Sequence, residues 1–169
     1  MAYTLAQLAA DIRDALENDA GAAGKKKVCE HVSRALADAT FVAAHLQDRA
    51  PGAPPRDVLY EDRDLGFCIC SHVYDAPAHG APHDHGPSWA VYGQAAGATE
   101  MTDWRIVRKG GAGEPTLVEP ESTYVMRPGD ARLYDVGAVH SPKRDAPVKL
   151  LRIEGQNLDR LARSNIKPR

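Results

Sequence analysis

The hydrophobic rhythm of the chain changes near residue 50. Leu5, Leu8, Ala9, Ile12 and Leu16 recur at the three-and-four spacing that lines one face of a helix. Thr4-Leu5-Ala6-Gln7 opens this run as a capping box, with Thr4 as N-cap and Gln7 three residues on, and Asn18 and Gly21 close it. Val28, Val32, Ala35, Leu36, Ala39, Val42 and Leu46 repeat the spacing and predict a second helix, ended by the breakers Ala50-Pro51-Gly52-Ala53-Pro54-Pro55. Beyond them, short apolar runs at 65–74, 88–96, 98–107, 116–118, 122–126, 131–136 and 147–154 alternate with Gly- and Pro-bearing turns such as Arg127-Pro128-Gly129-Asp130. The expected architecture is mainly β: one domain over 1–169, with a two-helix extension at 1–50 packed on an all-β sandwich or barrel at 58–155.

Composition narrows the partners. With 169 residues, 43% hydrophobic and 26% charged, the chain can bury a real core. A net charge of −2 argues against a nucleic-acid or anionic-membrane binder, and no run approaches membrane-spanning length. Three cysteines, a low and odd count, fit reduced thiols in the cytoplasm. A small molecule is therefore the expected partner; oligomeric state is not legible. The basic stretch from Arg160 to Arg169 reads as a solvated end.

The chemistry concentrates on histidines. His83 and His85 stand in Pro82-His83-Asp84-His85-Gly86, and His140 follows the Pro-Gly-Asp turn. On a strand, residues two apart share a face, so an HxH pair aims two imidazoles at one point and a third histidine can complete a facial ligand set. Imidazole suits Fe, Zn, Cu and Ni, so the spacing alone does not name the metal. His79 is an alternative ligand but reads better as a loop residue; His31, His45 and His72 read as structural or exposed. Cys68 and Cys70 share a strand face and read as a small buried pair. Trp89 and Tyr92 are candidates for the substrate cavity, and Tyr134 for a hydrogen bond near the metal. Arg152 and Glu154 share one face of the apolar run 148–154; pointing inward they must be paired or bind substrate, pointing outward they are solvent charges, and the family resemblance given below favours inward, into the metal cavity.

Gly80-Ala81-Pro82-His83-Asp84-His85 with Gly93 and Gly97, and Pro128-Gly129-Asp130 leading to His140, resemble the two motifs of the cupins, the double-stranded β-helix barrels. The N-terminal helices, Trp89 and Thr99-Glu100-Met101-Thr102-Asp103-Trp104 further resemble the cysteine dioxygenase group of thiol dioxygenases. That resemblance covers residues 58 to 155 and implies one Fe(II) held by His83, His85 and His140, with O2 as co-substrate. No glutamate follows the HxH pair, in keeping with a three-histidine branch. Three features depart from the group: Ala90 stands where mammalian-type members carry a crosslinking cysteine, Arg152-Ile153-Glu154 replaces a His-x-Tyr pair, and Arg63 is offset from the arginine that binds the substrate carboxylate. The departures bring the chain closer to the predicted metal-dependent enzymes of the superfamily than to cysteine dioxygenase itself.

The sequence thus leads to a mononuclear Fe(II) dioxygenase acting on a small thiol or chelating acid. Arg152, Glu154 and Tyr134 are the catalytic candidates, and Arg63, Trp89 and Tyr92 the substrate-binding ones. Two alternatives stand beside it: a Zn, Mn or Ni cupin with isomerase, lyase or hydrolase chemistry, and a non-catalytic cupin that binds a small ligand.

Overall fold

A computed structural model describes residues 3–111 and 113–169. Three helices, α1 (Leu5–Asn18), α2 (Ala22–Leu36) and α3 (Ala39–His45), precede the strands. The strands are β1 (Arg56–Glu61), β2 (Cys68–Tyr74), β3 (Ala78–His79), β4 (Ala90–Ala96), β5 (Thr99–Arg108), β6 (Thr116–Met126), β7 (Ala131–Tyr134), β8 (Val139–Arg144), β9 (Val148–Glu154) and β10 (Ile166–Pro168). They form two five-stranded sheets, ordered β1-β2-β9-β4-β7 and β10-β6-β5-β8-β3. Apart from the β1–β2 and β5–β6 hairpins, consecutive strands alternate between the sheets, and nearly every pairing is antiparallel. This is a double-stranded β-helix barrel, preceded by helices.

The capping box at the start of α1 forms as the sequence predicts, with Thr4 and Gln7 each accepting from the other's backbone N–H. The single second helix does not form: it divides at Asp38. The Asp38 carboxylate accepts from Thr40 N and Phe41 N and so caps a new helix, and it also holds Tyr3 N. Conversely, the runs at 116–118 and 122–126 are one strand, β6. Pro120 is tolerated within it because β10 pairs only with Thr116–Val118, so Pro120 owes no hydrogen bond on that edge. The basic C-terminal stretch is mostly exposed, as a solvated end would be, but it is tethered to the barrel. Ile166–Pro168 adds a parallel strand to β6, Arg160 forks onto Glu61, and Ser164 bonds to Asp84.

The first sheet is buried on both faces, which explains the near-continuous burial of β2 and β9. Ile69, Val91, Leu151 and Ile153 face the helices, where they join Leu8, Ile12, Val28 and Val32 in one core. The opposite face turns into the barrel, where Ala90, Tyr92 and Leu150 meet Met101, Met126 and Tyr134. Cys68 and Cys70 are also fully buried; burial raises their thiols to about 11 and 12, so both stay protonated.

Gly93 sets the distance between α2 and the sheet. A Cβ there would stand 2.4 Å from Val32 Cγ1 and 2.8 Å from Leu36 Cδ1. Gly93→Ala is expected to push α2 outward at a cost of about 1–3 kcal/mol. Chemical denaturation monitored by circular dichroism measures this; unchanged stability would refute the close packing.

Candidate metal centre

His140 is the second residue of β8, whereas His83 and His85 are not in a regular strand. Residues 80–89 form an irregular, extended segment. One isolated bridge holds it to β8: His83 N donates to His140 O and His140 N to His83 O, both at 3.0 Å. The side-chain alternation expected of a strand survives in this segment. His83 and His85 turn inward, and Asp84 turns away to accept from Gly86 N and from Ser164 N and Oγ. Gly86, at φ +59°, ends the segment in a conformation that favours glycine.

The three imidazoles converge. Ring centroids lie 4.6 Å apart for His83–His140, 4.8 Å for His85–His140 and 5.8 Å for His83–His85. Their ligand nitrogens lie within 4.8 Å of one another, so the three imidazoles would together hold one divalent ion. The tautomers suit this. His83 Nδ1 donates to Ala81 O at 2.9 Å and His140 Nδ1 to Ala138 O at 3.2 Å, leaving each Nε2 lone pair for a metal. Burial lowers the affinity of all three rings for protons. Arg152 and Arg163 lower it further, so the histidines are neutral at pH 7; His83 is pushed down to about 4. Three neutral nitrogen donors with no carboxylate among them can hold a divalent metal ion; their chemistry does not choose between Fe, Zn and Ni.

The surrounding residues sort the sequence candidates. Tyr92 lies in the centre: its hydroxyl is 2.9 Å from His85 Nε2 and 3.2 Å from His140 Nε2. Tyr134 stacks on His140 at 3.9 Å, and its hydroxyl meets that of Tyr124 at 2.6 Å; Tyr124 in turn donates to Asp103. Arg152 points inward as expected, with Nη2 2.9 Å from His85 Nε2 and the guanidinium over the Tyr92 ring. Glu154 is also buried, but it is not free to take a proton from a substrate. Arg56 grips both of its oxygens at 2.8 and 3.3 Å, Leu158 N donates to it, and Arg152 Nε lies 3.6 Å away.

Two candidates fall outside the cavity. Trp89, just before β4, has the opposite parity to Tyr92 and packs against the helical core, beneath Lys25. Arg63 is exposed in the β1–β2 turn, which Arg13 of α1 pins through Asp62 at 2.7 Å. Three residues missed in the sequence stand in the cavity instead: His72, Arg144 and Arg163. For His72 the signal was present, since Cys68, Cys70 and His72 share one face of β2. His72 is buried and pushed down to about 4 by that burial. A larger cavity, about 570 Å³, lies near Tyr74 and Pro147, away from the histidines; its charged residues Arg49 and Lys149 are already paired with Asp57 and Asp48.

No protein-family model matches the chain, and no curated protein does. Solved structures with a similar fold include a conserved protein with a double-stranded β-helix domain from Klebsiella pneumoniae. It is 14% identical, the match covers 72% of this chain and 85% of that one, and the TM-score is 0.48. A DMSP lyase from Ruegeria pomeroyi is 16% identical over 73% of this chain and 62% of that one, with a TM-score of 0.46. A hydroquinone 1,2-dioxygenase, solved with Cd2+ and 4-hydroxybenzonitrile, is 12% identical over 70% and 71%, with a TM-score of 0.48. Among the described residues, no helix is long and apolar enough to cross a membrane.

Glu154 provides a test of the buried charges. Burial alone would raise its pKa, but His72, Arg56 and Arg152 more than offset this and hold the carboxyl well below the usual carboxylate range. A depressed folded-state pKa contributes stability above the unfolded value, near about 4.3, that is lost as pH falls through it and below. Glu154→Gln is expected to cost about 3–5 kcal/mol at pH 7, because it leaves the buried Arg152 guanidinium without its nearest carboxylate and takes from Arg56 one of its two. The deficit should shrink steadily below about pH 4.3. Equal thermal stability of parent and variant at pH 7 would show that the cluster contributes nothing.

Proposed function

We propose that the chain is a mononuclear non-heme Fe(II) dioxygenase related to the thiol dioxygenases, acting on a small thiol or chelating acid with O2. The observation that carries this reading is the convergence of three neutral imidazoles, two of them held in the required tautomer by backbone carbonyls, with no carboxylate in the set. His83, His85 and His140 would hold the ion. Ferrous iron bound there supplies a redox-active Lewis acid with positions open to a chelating substrate and to O2. The protein's own residues bind, orient and keep water out. Arg152 offers a planar fork to an anionic group beside the histidines. The Tyr92 hydroxyl, buried against two ligand nitrogens, is placed to donate a hydrogen bond to a bound substrate. Tyr134 holds the His140 ring by stacking. Three free cysteines, none of them exposed, suit a reducing compartment such as the cytoplasm.

A second reading is favoured by Tyr92. A buried hydroxyl at the ligand nitrogens can carry a proton, as isomerase, lyase or hydrolase chemistry with Zn, Mn or Ni requires.

Metal analysis of anaerobically purified protein should find one divalent ion per chain, abolished in the His83→Ala, His140→Ala double variant. Stoichiometric metal in that variant would rule the site out. The Fe(II) form is expected to consume O2 only when a small thiol other than cysteine, or a chelating acid, is added, and to oxidise free cysteine slowly or not at all. Turnover under argon with another metal would replace the dioxygenase reading with the second one.

A further inference from the structure

The cavity beside the histidines, about 250 Å³, is lined by three guanidinium groups and no carboxylate. They come from three separate elements: Arg144 from the end of β8, Arg152 from β9, and Arg163 from the segment that follows the 3-10 turn Leu158–Arg160. Arg152 is buried, Arg144 half-buried and Arg163 exposed, and a cavity lined by one sign of charge favours an anion between them.

The protein supplies too little negative charge to balance them. Arg144 stacks on Tyr74 at 3.8 Å, and its buried Nε has no hydrogen-bond partner. Arg152 Nε is likewise buried without one; Glu154 lies 3.6 Å from it but shares its single charge with Arg56. Asp84 lies close but faces Ser164 and Gly86 N. Arg163 forms no salt bridge among the described residues.

The Arg163 side chain is exposed, but the backbone on either side of it is held in place. Ser164 N and Oγ bond to Asp84 at 3.1 and 2.6 Å, Arg160 bonds to Glu61 at 2.7 Å, and β10 continues onto β6. The strap passes so near Gly86 that a Cβ there would meet Ala162 O at 2.5 Å. Asp84, between two of the histidines, therefore ties the strap that carries Arg163 to the segment that carries the imidazoles.

A metal ion would add two more positive charges and would compete with Arg152 for the same His85 Nε2 lone pair. Resting on the metal reading, we propose that this cavity selects a small dianion, such as a short dicarboxylate or thiol dicarboxylate. One anionic group would lie between the histidines and Arg152, and the other between Arg144 and Arg163. Planar guanidinium forks match carboxylates. Tyr74, Tyr92 and Leu150 give the short spacer apolar walls. The cavity's size, below the roughly 300–1,000 Å³ of sites for drug-sized ligands, excludes long chains.

Calorimetric titration of the zinc-loaded protein with succinate and with succinamate, its monoamide of equal length, tests this directly. Succinate is expected to bind at least tenfold more tightly. Arg163→Gln and Arg144→Gln, each checked for thermal stability and zinc content, should reduce that ratio to threefold or less while leaving zinc content and succinamate affinity unchanged. Equal binding of the two probes by the parent protein, or a ratio untouched in both variants, would overturn the proposal. Should the parent take up no zinc, the metal reading fails. The succinate-to-succinamate ratio of the metal-free protein then decides the dianion proposal by itself, with the same tenfold threshold.

Discussion

The interior of this barrel depends on one buried carboxylate. Glu154 is fully buried, and its two oxygens join three parts of the chain: Arg56 on β1, the backbone of Leu158, and, at 3.8 Å, His72 on β2. Arg56 extends the network to Asn157 and Asp159. The turn that begins the C-terminal strap is thereby fixed to the first sheet. Glu154 also lies beside Arg152, so the guanidinium that reaches the histidines sits near a compensating charge at its Nε while its Nη2 is aimed into the cavity. A buried cation is tolerated only with such a partner. The same carboxylate therefore supports both the β1–β2–β9 side of the barrel and the direction in which Arg152 points.

Around this hub, the site is held mainly by backbone contacts. The histidine segment is not part of a ladder; the reciprocal His83–His140 bridge and the Asp84–Ser164 bonds fix it instead. Carbonyls of Ala81 and Ala138, each two residues before the histidine it serves, set the tautomers. Burial and nearby arginines keep the rings neutral. A metal-ligand set needs deprotonated nitrogens, so the cationic lining that shapes the cavity for an anion also keeps the imidazoles ready to bind an ion.

Helix cover explains the unusual content of β9. Leu151 and Ile153 face α1 and α2, so hydrophobic burial on that side holds the strand in place. Its other face is then free to carry Arg152 and Glu154 into the barrel. Gly93 on the neighbouring strand lets α2 approach closely enough for this cover to be complete.

The sequence by itself determined the periodic features. The capping box at Thr4, the change from helix to strand rhythm near residue 50, the inward parity shared by His83 and His85, and the common face of Arg152 and Glu154 all follow from local geometry that repeats every 3.6 or 2 residues. It did not determine features that periodicity fails to register, or those that depend on neighbours distant in the chain. Asp38 divides a helix because its carboxylate finds free N–H groups in a turn that periodicity does not register. Trp89 lies outside the barrel because the break at Gly86-Pro87 hides the parity of the strand beyond it. Arg63 is drawn to α1 by the Arg13–Asp62 pair. Arg144 and Arg163 carry no local mark at all. They become part of the site only because β8 and the C-terminal strap end at the same cavity, a juxtaposition set by sheet order and by the Asp84–Ser164 bonds across 80 residues of chain.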